Sequence, residues 1–207
     1  MDVQEPGDNV RAGNVRVETE RLVLRELMSE DVELLADLDS DPAVMHYITN
    51  GVATPRREVA SQIAALISEY AEHPGLGRWA AIERASGVFV GWFALSPTPP
   101  GAAELGYRLR SAYWRRGLGS EGASALVRMA FEDVGLERVW AQTMAVNVGS
   151  RAVMARAGLR YVRTFYLEFD DPIPGTELGE VEYAITRDVW QADTRYARPE
   201  AVPDNMN

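Results

Sequence analysis

Cysteine and lysine are both absent from this chain of 207 residues, and only two histidines, His46 and His73, occur. Without cysteine there is no disulfide, no thiolate nucleophile and no sulfur-ligated metal site. Without lysine there is no Schiff base and no lysine-dependent phosphate loop. Two histidines are too few for a His-rich metal site, so no metal is expected, and a Ser-His-Asp triad would need one of them. All 21 basic residues are arginine, for which genome bias is a sufficient cause.

Length and composition indicate one globular domain. Apolar residues make up 46% of the chain and charged residues 25%, which is ordinary for a protein with a full core. The longest near-continuous apolar run, residues 88–95, is too short to cross a bilayer. The N-terminal segment has acids and a proline where a signal peptide has basic and then apolar residues. A soluble, cytoplasmic protein without a membrane partner is expected.

The net charge of −10 is unevenly distributed. Residues 104–163 carry ten arginines and five acidic residues, a net charge of +5, so the remainder carries −15. An acidic body repels a nucleic-acid backbone, whereas one basic segment around a glycine-rich run suits a small polyanion. The distribution therefore predicts a small anionic ligand and no nucleic-acid partner. Arginines scattered over solvated helix faces are the alternative explanation.

Hydrophobic periodicity predicts a single mixed α/β domain with seven strands. The predicted strands are residues 21–27, 78–84, 88–95, 103–110, 138–144, 159–169 and 180–187. Three consecutive strands with hairpin-sized links precede the central helix, which excludes a doubly wound fold. Residues 1–15 and 191–207 are polar and aperiodic, and we expect them to be flexible tails that flank a domain at residues 16–190. Trp190 and Tyr196 are expected to be exposed and available for contact with a partner, which allows a homodimer.

Two motifs bear chemistry. Residues 115–120, Arg-Arg-Gly-Leu-Gly-Ser, lie at a strand-to-helix junction, where glycines let backbone N–H groups approach a ligand and the helix adds its positive dipole end. This turn suits a pyrophosphate: Gly-x-Gly by itself is better explained as a structural turn, but Arg115 and Arg116 directly before it favour an anion. The second motif runs from Asn147 through Ser150 to Gly158; taken alone, it is a capped helix with a glycine stop.

Together with Thr19–Arg25 and the run Glu104–Glu121, these motifs resemble the GNAT superfamily of acyl-CoA-dependent N-acetyltransferases. More narrowly, they are similar to its branch of ribosomal-protein N-terminal acetyltransferases. The resemblance implies the GNAT fold, a single mixed, mostly antiparallel seven-stranded sheet with helices on both faces. It also implies acetyl-CoA as the acyl donor and an amine acceptor, such as a protein N-terminus, a polyamine or an aminoglycoside-like molecule.

The resemblance further implies a set of site residues. The backbone at 109–111 would pair with the pantetheine, residues 115–120 would hold the pyrophosphate, and Asn147 would bind the pantetheine arm or position the acceptor. Arg151 could reach the adenosine end, although a solvated helix face is an equal explanation. The implied cofactor-binding residues are Leu109, Arg110, Ser111, Arg115, Arg116, Gly117, Leu118, Gly119, Ser120, Asn147 and Arg151.

Two positions depart from the superfamily pattern. Trp114 stands where Arg or Gln usually precedes the first glycine by three residues, which removes a side-chain phosphate contact but leaves the backbone cradle. Met154 stands where many members have a tyrosine that protonates the departing thiolate, and a thioether cannot donate a proton. Ser150 is then the candidate acid, unless none is needed, because a thiol with a pKa of about 8.5 leaves tolerably as its anion.

Direct attack of an amine on a thioester needs no protein nucleophile, which agrees with the missing cysteine and lysine. It needs a base, an amide for the oxyanion, and geometry. Glu104 is the predicted base, directly or through a water, because it faces away from Leu105, Tyr107 and Leu109 on the strand that would bind the thioester. A surface carboxylate paired with Arg108 or with another neighbour is the alternative.

Residues 26–41 bear on the acceptor, which the resemblance places between the first two helices and the last strands. They carry seven acids and no basic residue, which favours a cationic amine, although acids on a helix also keep a protein soluble. A catalytically silent GNAT-fold domain that binds acyl-CoA as a sensor or partner subunit is the alternative function. A nucleotide-binding oxidoreductase is disfavoured, because no Gly-x-Gly-x-x-Gly follows a first strand.

Overall fold

Residues 14–98 and 100–193, which the computed structural model describes, form a single sheet of eight strands in the order β1-β2-β3-β4-β5-β6-β8-β7. The strands are β1 (Val15–Glu18), β2 (Leu22–Glu26), β3 (Gly77–Glu83), β4 (Phe89–Thr98), β5 (Ala102–Leu109), β6 (Arg138–Met144), β7 (Arg160–Phe165) and β8 (Glu180–Thr186). Within this sheet only β5 and β6 are parallel. The mixed, mostly antiparallel sheet is thereby confirmed, and the predicted count of seven strands is one too few.

The missed strand is β1, which pairs with β2 across a bulge. Three of its four residues are exposed, so its short Val-Arg-Val-Glu sequence lacks the buried stripe that identifies longer strands. It begins at Val15, inside the predicted N-terminal tail. At the other end, the last helix continues to Ala192, beyond the predicted boundary. The rest of both predicted tails lies outside the described residues.

Helices cover both faces of the sheet, as expected. The described part of the chain contains α1 (Val32–Ser40), α2 (Pro42–Thr49), α3 (Arg56–Glu72), α4 (Leu118–Met129), α5 (Val148–Arg156) and α6 (Arg187–Ala192). The first three enclose one hydrophobic core, and α4 and α5 enclose a larger one on the opposite face. None of the helices in this part of the chain is both long and apolar enough to cross a membrane.

The longest apolar run of the sequence becomes the centre of β4. Residues 89–95 are all buried, because helices cover both faces of this central strand. Phe93 points into the larger core, where a Cβ on Gly122 of α4 would lie 2.3 Å from its ring. Glycine at 122 therefore lets α4 approach the sheet closely, which fixes the height of this helix over β4 and β5.

Trp190 corrects a prediction. It is 7% exposed and stacks on Phe131, with 5.4 Å between the ring centroids, so it closes the larger core and is not free to meet a partner. The sequence did not reveal this burial, because the short helix that carries Trp190 has too few turns for its apolar residues to form a recognisable stripe. Tyr196, the other residue predicted to be exposed, lies outside the described residues.

A buried ion pair joins the first long strand to the turn before α1. The Arg25 guanidinium donates to both Asp31 carboxylate oxygens, at 2.6 and 2.7 Å, and both side chains are almost fully buried. Asp31 also accepts from the Met28 N–H at 2.9 Å. Planar bidentate geometry makes arginine suited to such a site, since each charge satisfies the other away from water.

We predict that Asp31→Asn lowers the free energy of unfolding by about 3 kcal/mol or more, because it leaves the Arg25 charge buried without a counterion. Urea denaturation at neutral pH measures this. The matched control is Glu33→Gln, which breaks the exposed pair with Arg56 and should leave the unfolding midpoint near the wild-type value. Equal midpoints for the two variants would contradict the prediction.

Candidate active site

The parallel strands β5 and β6 separate part-way along their length. They pair only over Ala102–Glu104 and Arg138–Trp140, while β5 continues to Leu109 and β6 to Met144. Beyond Glu104, no hydrogen-bonded register joins these two strands in the described structure. The sheet therefore opens at its centre, and main-chain groups on the inner edges of the opening lack a strand partner.

Strand alternation identifies which main-chain groups of β5 line this opening. The Arg110 N–H donates to the Val90 carbonyl on β4, so the alternate residues Leu105, Tyr107 and Leu109 direct their N–H and C=O groups toward β6. The Leu109 carbonyl already accepts the Trp114 indole N–H at 2.8 Å. Main-chain capacity toward the opening is thus concentrated at the Leu105 carbonyl, at Tyr107 and in the Leu109 N–H.

The predicted pantetheine segment at residues 109–111 is partly occupied by a turn. The Arg110 carbonyl accepts from the Tyr113 N–H at 2.9 Å, and the Ser111 carbonyl accepts from the Trp114 N–H at 3.1 Å. These bonds close the 3₁₀ turn Ser111–Tyr113, which leads directly into the glycine-rich loop. The turn fixes the direction in which the loop leaves β5.

The glycine-rich loop ends in the uncapped N-terminus of α4. None of the described side chains caps this helix, so the first-turn N–H groups of Leu118, Gly119 and Ser120 have no acceptor from a capping residue in this part of the chain. Arg115 and Gly117 both have positive φ, 59° and 82°, a conformation that costs energy at a residue other than glycine. Such unpaired N–H groups, with the helix dipole behind them, suit an anion.

Packing places this helix terminus next to the opening. Leu118 is 2% exposed and anchors the turn in the larger core, so only its backbone faces outward. A Cβ on Gly119 would lie 3.2 Å from Val153 of α5 and 3.5 Å from Leu109 at the end of β5. Glycine at 119 therefore permits a close three-way approach of α4, α5 and β5. Arg115 is exposed beside it and makes no ion pair with the described residues.

Arg21 holds the loop against the sheet. Its guanidinium donates to the Arg116 carbonyl at 2.8 Å and to the Glu121 carboxylate at 2.6 Å. Glu121 accepts further from the Thr19 hydroxyl and the Arg21 N–H. Burial pushes the pKa of Glu121 upward, but these hydrogen bonds from Thr19 and Arg21 outweigh it and hold the pKa below its usual range. Sequence reasoning gave Arg21 and Thr19 no role, because their partner lies 100 residues away.

The N-terminus of α5 lies on the other side of the opening. The Asn147 side chain caps this helix, accepting from the Ser150 N–H at 3.1 Å and donating to the Thr143 hydroxyl at 3.2 Å. The Ser150 hydroxyl lies 2.9 Å from the Tyr107 hydroxyl of β5. Arg151 turns inward, donating to the Ala145 carbonyl at 2.9 Å. The side chains of Asn147 and Arg151 are therefore already engaged within the protein.

Glu104 stands at the last paired position of β5. Its side chain is on the face opposite to Leu105 and Tyr107, and it is half-buried, so desolvation raises the pKa of its carboxyl group. It makes no ion pair with a described residue. The alternative pairing with Arg108 is wrong, because Arg108 binds Asp39 of α1. Glu104 and Ser150 thus flank the opening from opposite faces of the sheet.

Comparison with known proteins decides the family. The model of the acetyltransferase (GNAT) domain matches residues 21–160. The chain belongs to the GNAT acetyltransferase family. It is 40% identical over 181 residues to the FsC-acetyl coenzyme A-N(2)-transacetylase of Aspergillus fumigatus, which covers 83% of this chain and 76% of that protein.

Solved structures share the GNAT fold. A GNAT-family acetyltransferase from Bacillus anthracis superposes with a TM-score of 0.69 at 24% identity, covering 83% of this chain and 98% of that one. A ribosomal L7/L12 alpha-N-protein acetyltransferase in complex with coenzyme A gives 0.70 at 18% identity, covering 85% and 99%. These likenesses show the fold, and the match of the family model to residues 21–160 confirms the predicted superfamily.

Acids in α1 of this GNAT chain, and the one directly after it, contact residues at the end of β5. Asp39 binds Arg108, Asp37 binds Arg110 at 2.8 Å, and Asp41 accepts the Ser111 hydroxyl at 2.5 Å. The Ser111 hydrogen bond is the main reason that the pKa of Asp41 is lowered. Of the seven acids at residues 26–41, four form ion pairs with described arginines, and the contacts of Asp37, Asp39 and Asp41 fasten α1 to the end of β5. Within residues 14–98 and 100–193, no three His, Asp or Glu side chains converge to suit a metal ion.

We predict that Glu121→Gln destabilises the protein in a pH-dependent way. Since the native pKa of Glu121 lies below the ordinary value of 4.5, its contribution to stability is complete above about pH 4.5. It is lost as the pH falls through the native pKa. The difference between wild-type and variant unfolding free energies, measured in urea at pH 7 and again near pH 4, should therefore shrink on acidification. Glu72→Gln, an exposed change on α3, is the control, and a difference that grows with acid would contradict the prediction.

Proposed function

We propose that this chain is an acetyl-CoA-dependent N-acetyltransferase that moves the acetyl group directly to a primary amine. The observation that carries the proposal is the uncapped N-terminus of α4 beside the opening between β5 and β6. The opening offers main-chain groups to an extended chain with amides, and the helix offers N–H groups to a pyrophosphate. Acetyl-CoA has both features, and it supplies the acetyl group as a thioester.

The donor would be held mainly by backbone. The N–H groups of Leu118, Gly119 and Ser120 would bind the pyrophosphate, with the exposed charge of Arg115 beside them. The main-chain groups of Leu105 and Tyr107 would pair with the pantetheine amides as an added strand does. This placement shifts the pantetheine contact from residues 109–111 toward the middle of β5, because the carbonyls of Arg110 and Ser111 already accept hydrogen bonds.

Glu104 would act as the general base. The carboxylate lies where β5 and β6 part, on the face opposite to α4 and α5, so an amine could reach the opening from the Glu104 side while the donor enters from the helix side. Its raised pKa brings it nearer to that of an ammonium group than an exposed glutamate would be, which favours proton uptake, directly or through a water.

A cationic amine suits the acceptor face. Register relations place Glu180 of β8 on the same face as Glu104, since Trp140 pairs with both Glu104 and Ala184. Glu180 is half-buried, burial raises its pKa, and it has no ion-pair partner among the described residues. Two uncompensated carboxylates, rather than the acids of α1, thus support a protonated amine such as a polyamine, an aminoglycoside-like molecule or a protein N-terminus.

The direct test follows free thiol release while purified protein is incubated with acetyl-CoA and a panel of amines. The panel includes small polyamines, aminoglycosides and peptides with free N-termini, because one relative is named for N(2) transfer and one structural neighbour for alpha-N-protein acetylation. Amine-dependent release supports the proposal. Acetyl-CoA binding by calorimetry without release would favour the silent acyl-CoA-binding domain, and release that ignores the amine would indicate hydrolysis.

We predict that Glu104→Gln lowers kcat about 100-fold at neutral pH and leaves the Kd for acetyl-CoA within about twofold, because it removes the base but no donor contact. The acid limb of the wild-type pH profile should lie above pH 4.5, the ordinary value for a glutamate, and disappear in the variant. Glu72→Gln should match the wild type in both measurements. Full activity in Glu104→Gln would remove Glu104 from the mechanism.

A further inference from the structure

Arg78 carries a charge that the proposed mechanism does not use. Its side chain is only partly exposed, its Nε atom is buried without a hydrogen-bond partner, and its guanidinium forms no ion pair with a residue that the structure describes. The guanidinium lies over the indole ring of Trp92, with its central carbon 4.2 Å from the ring centroid. An aromatic face orients a cation but does not neutralise it, so this charge stays available to an anion.

The surroundings of Arg78 leave its charge uncompensated. The guanidinium of Arg108 lies over the same indole ring, 5.3 Å from the centroid, and it is Arg108 that binds the carboxylate of Asp39. Burial lowers the pKa of Arg78, the neighbouring charge of Arg108 lowers it further, and Asp39 and Glu69 oppose the shift only in part. An anion beside Arg78 would therefore meet a positive charge that water screens poorly.

Strand register places Arg78 on the face of the sheet that carries Glu104. Arg78 pairs with Ala94, and Ala94 pairs with Gly106. Alternation along β5 then puts Gly106 and Glu104 on the same face. Two strand spacings and two residues separate Arg78 from Glu104, which corresponds to about 12 Å between their Cα atoms. The unused cation and the proposed base therefore share the side of the sheet from which the amine approaches.

The surface between these two side chains is open. Ser96, which pairs with Glu104, is exposed, and Gly106 is partly exposed. The three atoms nearest to a Cβ built on Gly106 all belong to side chains of β4, so no helix lies closer to it. A ligand at the opening between β5 and β6 can thus extend over β4 and β5 toward Arg78.

We propose that Arg78 binds a carboxylate of the acceptor, so that the preferred acceptor is a primary amine that also carries a carboxylate. The inference rests on the proposed function and names the class of its acceptor. The amine would lie at Glu104, and the carboxylate would accept two hydrogen bonds from the planar guanidinium of Arg78. The distance between the two residues requires several bonds between amine and carboxylate. An ω-amino acid has this form, and so does a protein N-terminus followed by an acidic side chain.

The same charge selects against a polyamine. Glu104 and Glu180 attract an ammonium group at one end of the open surface, and Arg78 attracts a carboxylate at the other. A polyamine would bring a second ammonium group toward Arg78, which repels it, whereas a zwitterion complements both ends.

Matched sets of amines test the inference in the thiol-release assay. Unbranched ω-amino acids are compared with alkylamines and diamines of the same length, and an amidated peptide that begins Ala-Glu is compared with one that begins Ala-Gln. We expect kcat/KM for the carboxylate-bearing member of a set to exceed that of its uncharged partner about 30-fold, because charge-assisted hydrogen bonds are the strong ones. The set that shows the preference identifies its source as a free amino acid or a protein N-terminus. Equal values within every set overturn the inference.

Substitution of Arg78 gives the second readout. Arg78→Met keeps an unbranched side chain over Trp92 but removes the charge, so it should abolish the preference while leaving turnover of the alkylamine and KM for acetyl-CoA nearly unchanged. Arg78→Lys should retain part of the preference, because it keeps the charge but not the planar fork. Arg57→Met, an exposed change on α3, is the control and should keep the full preference. A preference that survives Arg78→Met overturns the inference, as does an equal loss for all amines, which a merely structural role would produce.

Binding separates this inference from the proposed function. Calorimetry measures the Kd of the ω-amino acids and of the Ala-Glu peptide for CoA-loaded wild type and Arg78→Met, and thermal unfolding confirms that the variant is folded. If amines are acetylated without regard to a carboxylate, the proposed function stands and the inference fails. If no amine is acetylated but one of these probes binds wild type about 30-fold more tightly than Arg78→Met, the carboxylate site stands and the proposed function fails. Neither turnover nor binding overturns both.

Discussion

The separation of β5 from β6 is the constraint on which the rest of the site depends. A parallel pair in mid-sheet would normally bond along its whole length, but here the register stops after Glu104 and Trp140. Main-chain groups on the inner edges are left without strand partners at the centre of the fold, where loss of hydrogen bonds is costly. An extended ligand with amide groups would supply the missing hydrogen-bond partners. Backbone groups therefore determine which kind of ligand suits the opening, and side chains determine the chemistry on the two faces of the sheet.

Side chains keep the opening in place chiefly through arginine. Arg21 ties the glycine-rich loop to the start of β2, and Arg108 and Arg110 bind the acids of α1 to the end of β5. Each is a contact between segments distant in sequence, and each uses the planar, multiply donating guanidinium that lysine lacks. The absence of lysine thus removes none of these contacts, because arginine makes all of them.

The local patterns predicted much of the fold and of the site's layout. Alternation along β5 correctly separated Glu104 from Leu105 and Tyr107, and glycine spacing located the junction at residues 115–120. The patterns failed where elements are short: β1 was missed, and Trp190, in the six-residue helix α6, was predicted to be exposed. A stripe needs several turns or several alternations to stand out, and elements of four to eight residues do not supply them.

The sequence by itself determined the order of the longer elements and the face on which Glu104 lies, because periodicity and turn chemistry are local properties of the chain, and its motifs carried the resemblance to the superfamily. Only the tertiary structure decided which charges are free. The acids of residues 26–41 look like an open anionic rim in sequence, yet four of the seven are paired with arginines, two of these at the end of β5, while Glu104 and Glu180 have no ion-pair partner among the described residues. The contact between Tyr107 and Ser150 is of the same kind. Partners 43 residues apart meet because two packed elements place them together, and nothing in either segment's own pattern encodes the other.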